Sequence, residues 1–322
     1  MYIVTGGAGF IGNAIIKKLN DEGIDEILIV DDLKKSPKWL NLLGKRYTDY
    51  LHKDQLFSEL ESGRLRGSIS AVIHMGACSS TTEEDADYLM KNNFHFSRDL
   101  AEYCLDHGVR FVYASSAAIY GDGEFGYDDN DTLTDEYRPL NRYGYSKQLF
   151  DQWVIRNKAT ESVAGLRFFN VFGPNENHKG SMRSVVHKAF HQVQSDGEIT
   201  LFRSYRDDYG DGEQKRDFVY VKDCVEILWW LTNHPRTGGI FNVGRGIAES
   251  WNSLARAVFA AVGAPEKIRY IDMPQELIEQ YQYFTQAKLD KLQESGCPLP
   301  STSLEDGIRD YIQNYLQTRR LL

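Results

Sequence analysis

The 322-residue chain has few cysteines, no long apolar run and no cluster of positive charge, and each shortage removes a class of function. Cys78, Cys104, Cys224 and Cys297 are scattered without metal-ligand spacing. They read as reduced thiols, so neither a disulfide framework nor a bound metal is expected. Lys and Arg total 37 against 46 Asp and Glu, a net charge of −9, with no basic stripe. Nucleic acid is therefore not an expected partner, although one positive pocket for an anionic substrate fits an acidic average. No stretch reaches the roughly 18 apolar residues of a membrane span. With a strand read from residue 2, no secretory leader is expected either, and the chain reads as cytoplasmic. Low-complexity tracts and internal repeats are also missing, and the length exceeds the usual single core, which predicts two lobes.

What is present begins at once. MYIVTGGAGFIG, residues 1 to 12, passes from a β-rich run into Gly6, Gly9 and Gly12 and then into a helical pattern over about Phe10 to Asn20. A tight turn at Gly6, open space over Gly9 and close packing at Gly12 would let helix N–H groups face a pyrophosphate. The acid that follows is Asp31, nineteen residues beyond Gly12, with Asp32 beside it. Either carboxylate could meet an adenosine ribose, which favours NAD. Lys34, Lys35 and Lys38 lie just downstream, where cations would favour the 2′-phosphate of NADP, so the phosphate state stays open.

Strand-like and helical patterns then alternate: a strand over Ala71 to His74, a helix about Tyr88 to His107, a strand over Arg110 to Ala114 and a helix about Tyr143 to Asn157. That rhythm predicts an α/β fold with a doubly wound parallel sheet, the Rossmann arrangement. After the strand over Val163 to Phe169 the rhythm breaks at Gly173 and Pro174, before a helix from about Met182 to Val193. Asp217 to Val221 and Ile240 to Val243 again read as buried strands. The expected division is a dinucleotide-binding domain over 1–171 and about 215–245. A smaller, discontinuous α/β substrate lobe takes about 172–214 and 246–322.

Tyr143 and Lys147 stand at i and i+4 on one helix face, where an ammonium favours the phenolate. A phenol that ordinarily titrates near ~10 could then act as a base toward a sugar hydroxyl. With 19 tyrosines in the chain the spacing alone says little. Position says more, because the pair follows Ser115 and Ser116 at the carboxyl end of a strand, where α/β sheets hold their ligands. Ser116 either bonds the reacting hydroxyl or caps a turn.

With TGGAGFIG, ASSAAIYG at 114 to 121, YGYSK at 143 to 147 and RFFNVFGP at 167 to 174, the chain resembles the extended short-chain dehydrogenase/reductase family of nucleotide-sugar enzymes from end to end. GACSSTTE at 76 to 83, NHKGSM at 177 to 182, KRDFVYV at 215 to 221 and YFTQA at 283 to 287 are similar to its ADP-heptose 6-epimerase branch in particular. The resemblance implies an isomerase with tightly held NADP, or NAD, that oxidises a heptose at C6″ and returns the hydride to the other face without consuming cofactor. It also implies a homo-oligomer, a pentamer, serving lipopolysaccharide core synthesis. Tyr143 would be one acid/base and Lys179, in HKGSM, the other, with Ser116 and Lys147 assisting. By its residues alone, Lys179 is a surface or phosphate-contacting lysine.

Carried over on the same resemblance, Gly6, Gly9, Phe10, Ile11, Gly12, Asp31, Asp32, Lys38 and Lys53 would touch the cofactor. Met75, Gly76, Ala77, Cys78, Ser79, Asn92, Lys147, Val171 and Lys179 would continue its pocket. Asn170, Ser181, Lys188, Leu201, Phe202, Arg203, Ser204, Arg216 and Tyr281 would face the ADP-sugar. Arg216 offers a planar fork for a diphosphate, or else an internal bridge to Asp217, and His187 could equally fill the place of Lys188. The acidic segment SYRDDYGDGEQ, 204 to 214, departs from the pattern; its carboxylates are expected to face solvent or a neighbouring subunit. The alternative is another nucleotide-sugar 4-epimerase or a net reductase of the same superfamily. A dehydratase is disfavoured because Ala117 and Ala118 stand where an Asp-Glu pair is usual. A cofactor sensor without turnover would tend to lose the Tyr-Lys pair.

Overall fold

The computed structural model describes residues 1–65, 69–278 and 281–322. Six strands come first: β1 (Tyr2–Thr5), β2 (Ile27–Asp31), β3 (Asp49–His52), β4 (Ala71–His74), β5 (Arg110–Ser116) and β6 (Val163–Phe168). They are followed by β7 (Asn170–Phe172), β8 (Ile199–Phe202), β9 (Lys215–Tyr220), β10 (Gly239–Val243), β11 (Ala248–Ser250) and β12 (Ile268–Ile271). Seven of these form one all-parallel sheet in the order β3-β2-β1-β4-β5-β6-β10. The order reverses between β1 and β4, the point at which an open α/β sheet leaves a crevice.

The principal helices are α1 (Phe10–Asp21), α2 (Leu56–Glu61), α3 (Ala86–Leu89), α4 (Phe96–Asp106), α5 (Arg142–Arg156), α6 (Val185–Asp196), α7 (Val221–Asn233) and α8 (Trp251–Val262). Alternation along the strands decides which helix covers which face. Ile3, Val72 and Phe111 pack with Leu100 of α4 and Val154 of α5. Val4, Ile29, Ile73 and Val112 pack with Ile15 of α1 and Leu228 of α7. Both faces are covered, so β2, β4, β6 and β10 are buried at every residue.

The second lobe is not a separate core. The apolar cluster under α1 and α7 continues through Val186 of α6, Leu254 of α8 and Ile308. The expected return of 215–245 to the sheet also divides in two. β10 joins the main sheet beside β6, whereas β9 pairs with β7 and β11 in a separate three-stranded sheet. One residue explains this: Phe169 ties its N–H to the Val243 carbonyl at 3.0 Å and turns the chain, so β7 peels away from the sheet and takes β9 with it. β8 and β12 form a two-stranded parallel pair. The helix expected from Met182 begins only at Val185, because the Ser184 hydroxyl accepts from the His187 N–H at 3.2 Å and caps it.

Candidate active site

One cleft of about 830 Å³ opens at the carboxyl ends of β1, β4 and β5 and is closed by residues of the second lobe. At its cofactor end the glycine turn is built by steric necessity. Gly6 has φ +65°, and a Cβ there would lie 2.7 Å from the Gly76 backbone; a Cβ at Gly12 would lie 2.2 Å from the Gly6 carbonyl. Over Gly9 a Cβ would meet only that carbonyl, at 3.0 Å. Gly9 also caps α1 without a side-chain hydrogen bond, which leaves the first-turn N–H groups for an anion. Close packing of helix on strand falls to Gly7, where a Cβ would sit 2.8 Å from Ile29 and 2.9 Å from Ile16. These residues fit a dinucleotide.

Asp32 and Asp31, either of which was expected to meet the ribose, both line the cleft, and Asp31 also braces the backbone. Asp31 accepts from the Ala8 N–H at 2.8 Å, the Asp32 N–H at 2.7 Å and Lys38 Nζ at 2.6 Å, so its carboxylate holds the glycine turn. Its neighbour Asp32 pairs with Lys34 at 3.1 Å. Burial opposes ionisation of Asp32, but the Lys34 hydrogen bond and the charges of Lys34, Lys53 and His52 hold it below the usual carboxylate range. Lys53 donates to Asn92, which sits in a π-helical stretch, Met90–His95, joining α3 to α4. The next residue, Asn93, bonds both the N–H (2.8 Å) and carbonyl (3.0 Å) of Cys78 and so shapes the Met75 to Ser79 segment.

Further along, Ser116, Tyr143 and Lys147 line the same cleft. Lys147 Nζ donates to the Ala114 carbonyl at 2.9 Å. Ser116 caps the turn, its hydroxyl accepting from the Ala118 N–H at 3.1 Å, and it also interacts with Tyr143. The expectation that Lys147 lowers the phenol is not met in the protein alone. Burial pushes Tyr143 above its ordinary value, and only the Ser116 hydrogen bond opposes it. Lys147 is itself lowered to about 8 by burial, against the opposing charges of Asp151 and Cys78.

Lys179 reaches the cleft from the turn Asn177–Met182, with Nζ 5.2 Å from the centre of the Phe10 ring. Burial lowers its pKa, Glu176 opposes the shift and Lys188 adds to it. Asn170 and Val171 are on the wall as well.

Among the described residues the wall does not include Ser181, Lys188, Leu201, Phe202, Arg203, Ser204, Arg216 or Tyr281. Ser181 and Lys188 are exposed, while His187 is buried and holds Asn177 at 2.9 Å. Leu201 packs into the main core, and Phe202 meets the Tyr281 ring edge-on at 6.4 Å. Arg203 faces Asp211 at 3.8 Å and Asp272 at 3.6 Å. The Ser204 N–H donates to Asp211 at 2.8 Å.

Arg216 lies one layer behind the wall, 5.6 Å from the Trp251 ring and 5.2 Å from Tyr281, and Trp251 does line the cleft. Its internal bridge to Asp217 does not form. Asp217 accepts instead from the N–H groups of Arg245, Gly246 and Ala287, at 2.6, 2.8 and 2.9 Å. In the acidic 204–214 segment Asp207 and Asp208 are exposed, Asp208 pairing with its neighbour Arg206, whereas Asp211 accepts from the Ser204 N–H and Glu213 accepts from Asn252 at 2.6 Å.

Residues 2–244 match the model of the NAD dependent epimerase/dehydratase family. The chain belongs to that family. It is 54% identical over 316 residues to a Nitratidesulfovibrio vulgaris protein named ADP-L-glycero-D-manno-heptose-6-epimerase, covering 98% of each chain. The crystal structure of Helicobacter pylori ADP-L-glycero-D-manno-heptose-6-epimerase matches with a TM-score of 0.82 at 27% identity, over 97% of this chain and 95% of that one. Thermus thermophilus UDP-glucose 4-epimerase, solved with NAD, matches with a TM-score of 0.79 at 25% identity over 98% of both.

Among the cleft-wall residues of this epimerase/dehydratase family member that were not expected there are Trp251, Gln282, Thr285 and His178. Of these Trp251 carries no local signal in sequence, whereas Thr285 lies in the quoted YFTQA stretch and Gln282 just before it. His178 lies within the quoted NHKGSM stretch, beside Lys179; burial lowers it to about 4. Among the described residues no helix is long and apolar enough to cross a membrane.

Proposed function

We propose that the chain inverts C6″ of ADP-D-glycero-D-manno-heptose to the L-glycero epimer by transient oxidation and re-reduction on bound NADP. One observation carries this reading: two proton carriers, Tyr143 on α5 and Lys179 on the Asn177–Met182 turn, reach the same cleft from different elements. A bound oxidised nicotinamide would take the hydride from C6″ and return it, and its positive ring would add charge favouring ionisation of the buried Tyr143 phenol. Tyr143 then exchanges a proton with the C6″ hydroxyl of one epimer while Ser116 orients that oxygen. Lys179, lowered by burial, serves the other. The high identity to a relative named for this reaction favours the ADP-heptose over other nucleotide sugars.

NADP is preferred over NAD because Lys34, Lys38, Lys53 and His52 surround Asp31 and Asp32, whose carboxylates are committed to internal partners. Arg216 would meet the diphosphate, with Tyr281 and Asn170 beside the sugar nucleotide. Ser181, Lys188, Leu201, Phe202, Arg203 and Ser204 would come to the substrate only through movement of the second lobe. The assembly is a cytoplasmic homo-oligomer, a pentamer, which sedimentation would check.

Incubation of the holoprotein with ADP-D-glycero-D-manno-heptose should convert it to a mixture of C6″ epimers by NMR, with cofactor absorbance constant. Steady oxidation of added NADPH would identify a net reductase instead.

A further inference from the structure

On α5 the residue one turn beyond Lys147 is Asp151, so Tyr143, Lys147 and Asp151 follow one another at i, i+4 and i+8 on one side of the helix. Asp151 is completely buried and takes three hydrogen bonds at 2.9 Å: from Tyr113 Oη, Ser115 Oγ and Arg167 Nε. Two of those donors are on β5, and they flank Ala114, the residue whose carbonyl seats Lys147. Ser116, which bonds Tyr143, is the next residue on the same strand.

We propose that Asp151 is a positioning residue for proton transfer: it clamps the end of β5 to α5 and places a buried negative charge one helical turn behind Lys147. This rests on the epimerase reading above. The clamp fixes the strand segment that presents both the Lys147 seat and the Ser116 hydroxyl. Its charge is not cancelled locally by accident, since Arg167, also fully buried, spreads its guanidinium over Asp151, Tyr120 Oη at 3.2 Å and Thr134 Oγ1 at 2.8 Å. A single buried ion pair contributes little net stability over apolar packing, so its presence beside a lysine that burial would neutralise calls for another use.

The groups facing Lys147 are Asp151 from its own helix, Cys78 from the Met75 to Ser79 segment and His74 from β4. Burial holds His74 neutral, lowering it to about 3, so Asp151 is the principal charge that favours the ammonium. Without it, Lys147 loses its proton at lower pH, and with it goes the positive charge one helical turn from Tyr143 that would favour a phenolate once cofactor and substrate are bound.

The test compares Asp151→Asn with wild-type holoenzyme, measuring kcat for ADP-heptose epimerisation between pH 6 and 9.5. The alkaline limb of the variant should move down by about one pH unit, a loss of roughly tenfold at pH 8.5 against at most about threefold at pH 6.5, with bound cofactor unchanged. An unmoved limb, whether the rate is retained or lowered equally at every pH, overturns the proposal. Should Asp151→Asn fail to fold, Tyr113→Phe with Ser115→Ala cuts both tethers to β5 and leaves the ion pair. Its kcat should fall about five- to tenfold with KM within about twofold, and an unchanged kcat overturns the proposal. Wild-type enzyme inactive on ADP-heptose defeats the epimerase reading and this inference with it, whereas active wild type beside an unshifted variant defeats the inference alone.

Discussion

At the cofactor end of the cleft the charged groups are already paired: Asp31 with Lys38 and two backbone amides, Asp32 with Lys34, and Lys53 with Asn92. At the substrate end the buried Arg216 lies between Trp251 and Tyr281 and, among the described residues, donates only to the Lys215 carbonyl at 2.9 Å. Burial lowers its pKa, with no carboxylate among the forces opposing that shift. The first end is preorganised, so its geometry precedes the ligand. The second keeps a desolvated cation without a carboxylate partner among the described residues, and under the proposed function it would be the diphosphate that completes its surroundings.

The strongest way to break the contrast is to remove chemistry while leaving the preorganised end intact. Tyr143→Phe with Lys179→Met should lower turnover on the order of 10⁴-fold, read by NMR at C6″, while the purified protein keeps its cofactor. Near-normal activity would mean that the proton carriers are other residues. Next comes the substrate end: Arg216→Met should raise KM for the ADP-sugar roughly 30- to 100-fold with cofactor content unchanged, as expected for a lost charge-assisted fork. An unchanged KM would leave Arg216 as packing between two rings.

The cofactor end has its own weakness in acid. His74 bonds Thr5 at 2.6 Å and Ser97 at 2.8 Å beneath the glycine turn, and burial lowers it from 6.5 to about 3. The unfolded chain therefore binds a proton that the folded one does not. The associated stability is complete above pH 6.5 and is lost as pH falls toward 3, roughly 2 kcal/mol of it by pH 5. Urea midpoints at pH 7 and pH 5 would show this loss, and His74→Gln should flatten it. The smallest effect sharpens the choice of cofactor. Lys53→Ala removes a cation held by an amide, not by a carboxylate, so NADP should bind about tenfold more weakly and NAD within about twofold, by fluorescence titration.

The cofactor end was also the more legible. Gly12 announces its role because the Gly6 carbonyl would lie 2.2 Å from any Cβ, a constraint set within a dozen residues, and Gly6 turns there with φ +65°. Tyr143 and Lys147 could be placed on one helix face by spacing alone, and strand-end position made Ser116 a candidate. By contrast, nothing near Trp251 in sequence marks it as a cleft residue, since it arrives there from helix α8, and Gln282 was passed over between Tyr281 and the quoted YFTQA stretch. The pairing of β9 with β7 was equally hidden, because a short apolar strand fits either sheet until Phe169 has turned the chain.

By itself the sequence determined the parallel sheet, the glycine turn, the helix that opens on it and the shared helix face of Tyr143 and Lys147, all features whose physics lies within one or two adjacent elements; Lys179 by its residues alone was a surface or phosphate-contacting lysine. Only the tertiary structure decided that Asp31 braces the turn, that Arg216 stands free of Asp217, and that Asp151 meets Tyr113, Ser115 and Arg167. The reason is that hydrogen-bond partners of a buried charge are chosen by proximity in the folded chain, and a carboxylate beside two competing donors goes to whichever the packing brings within about 3 Å.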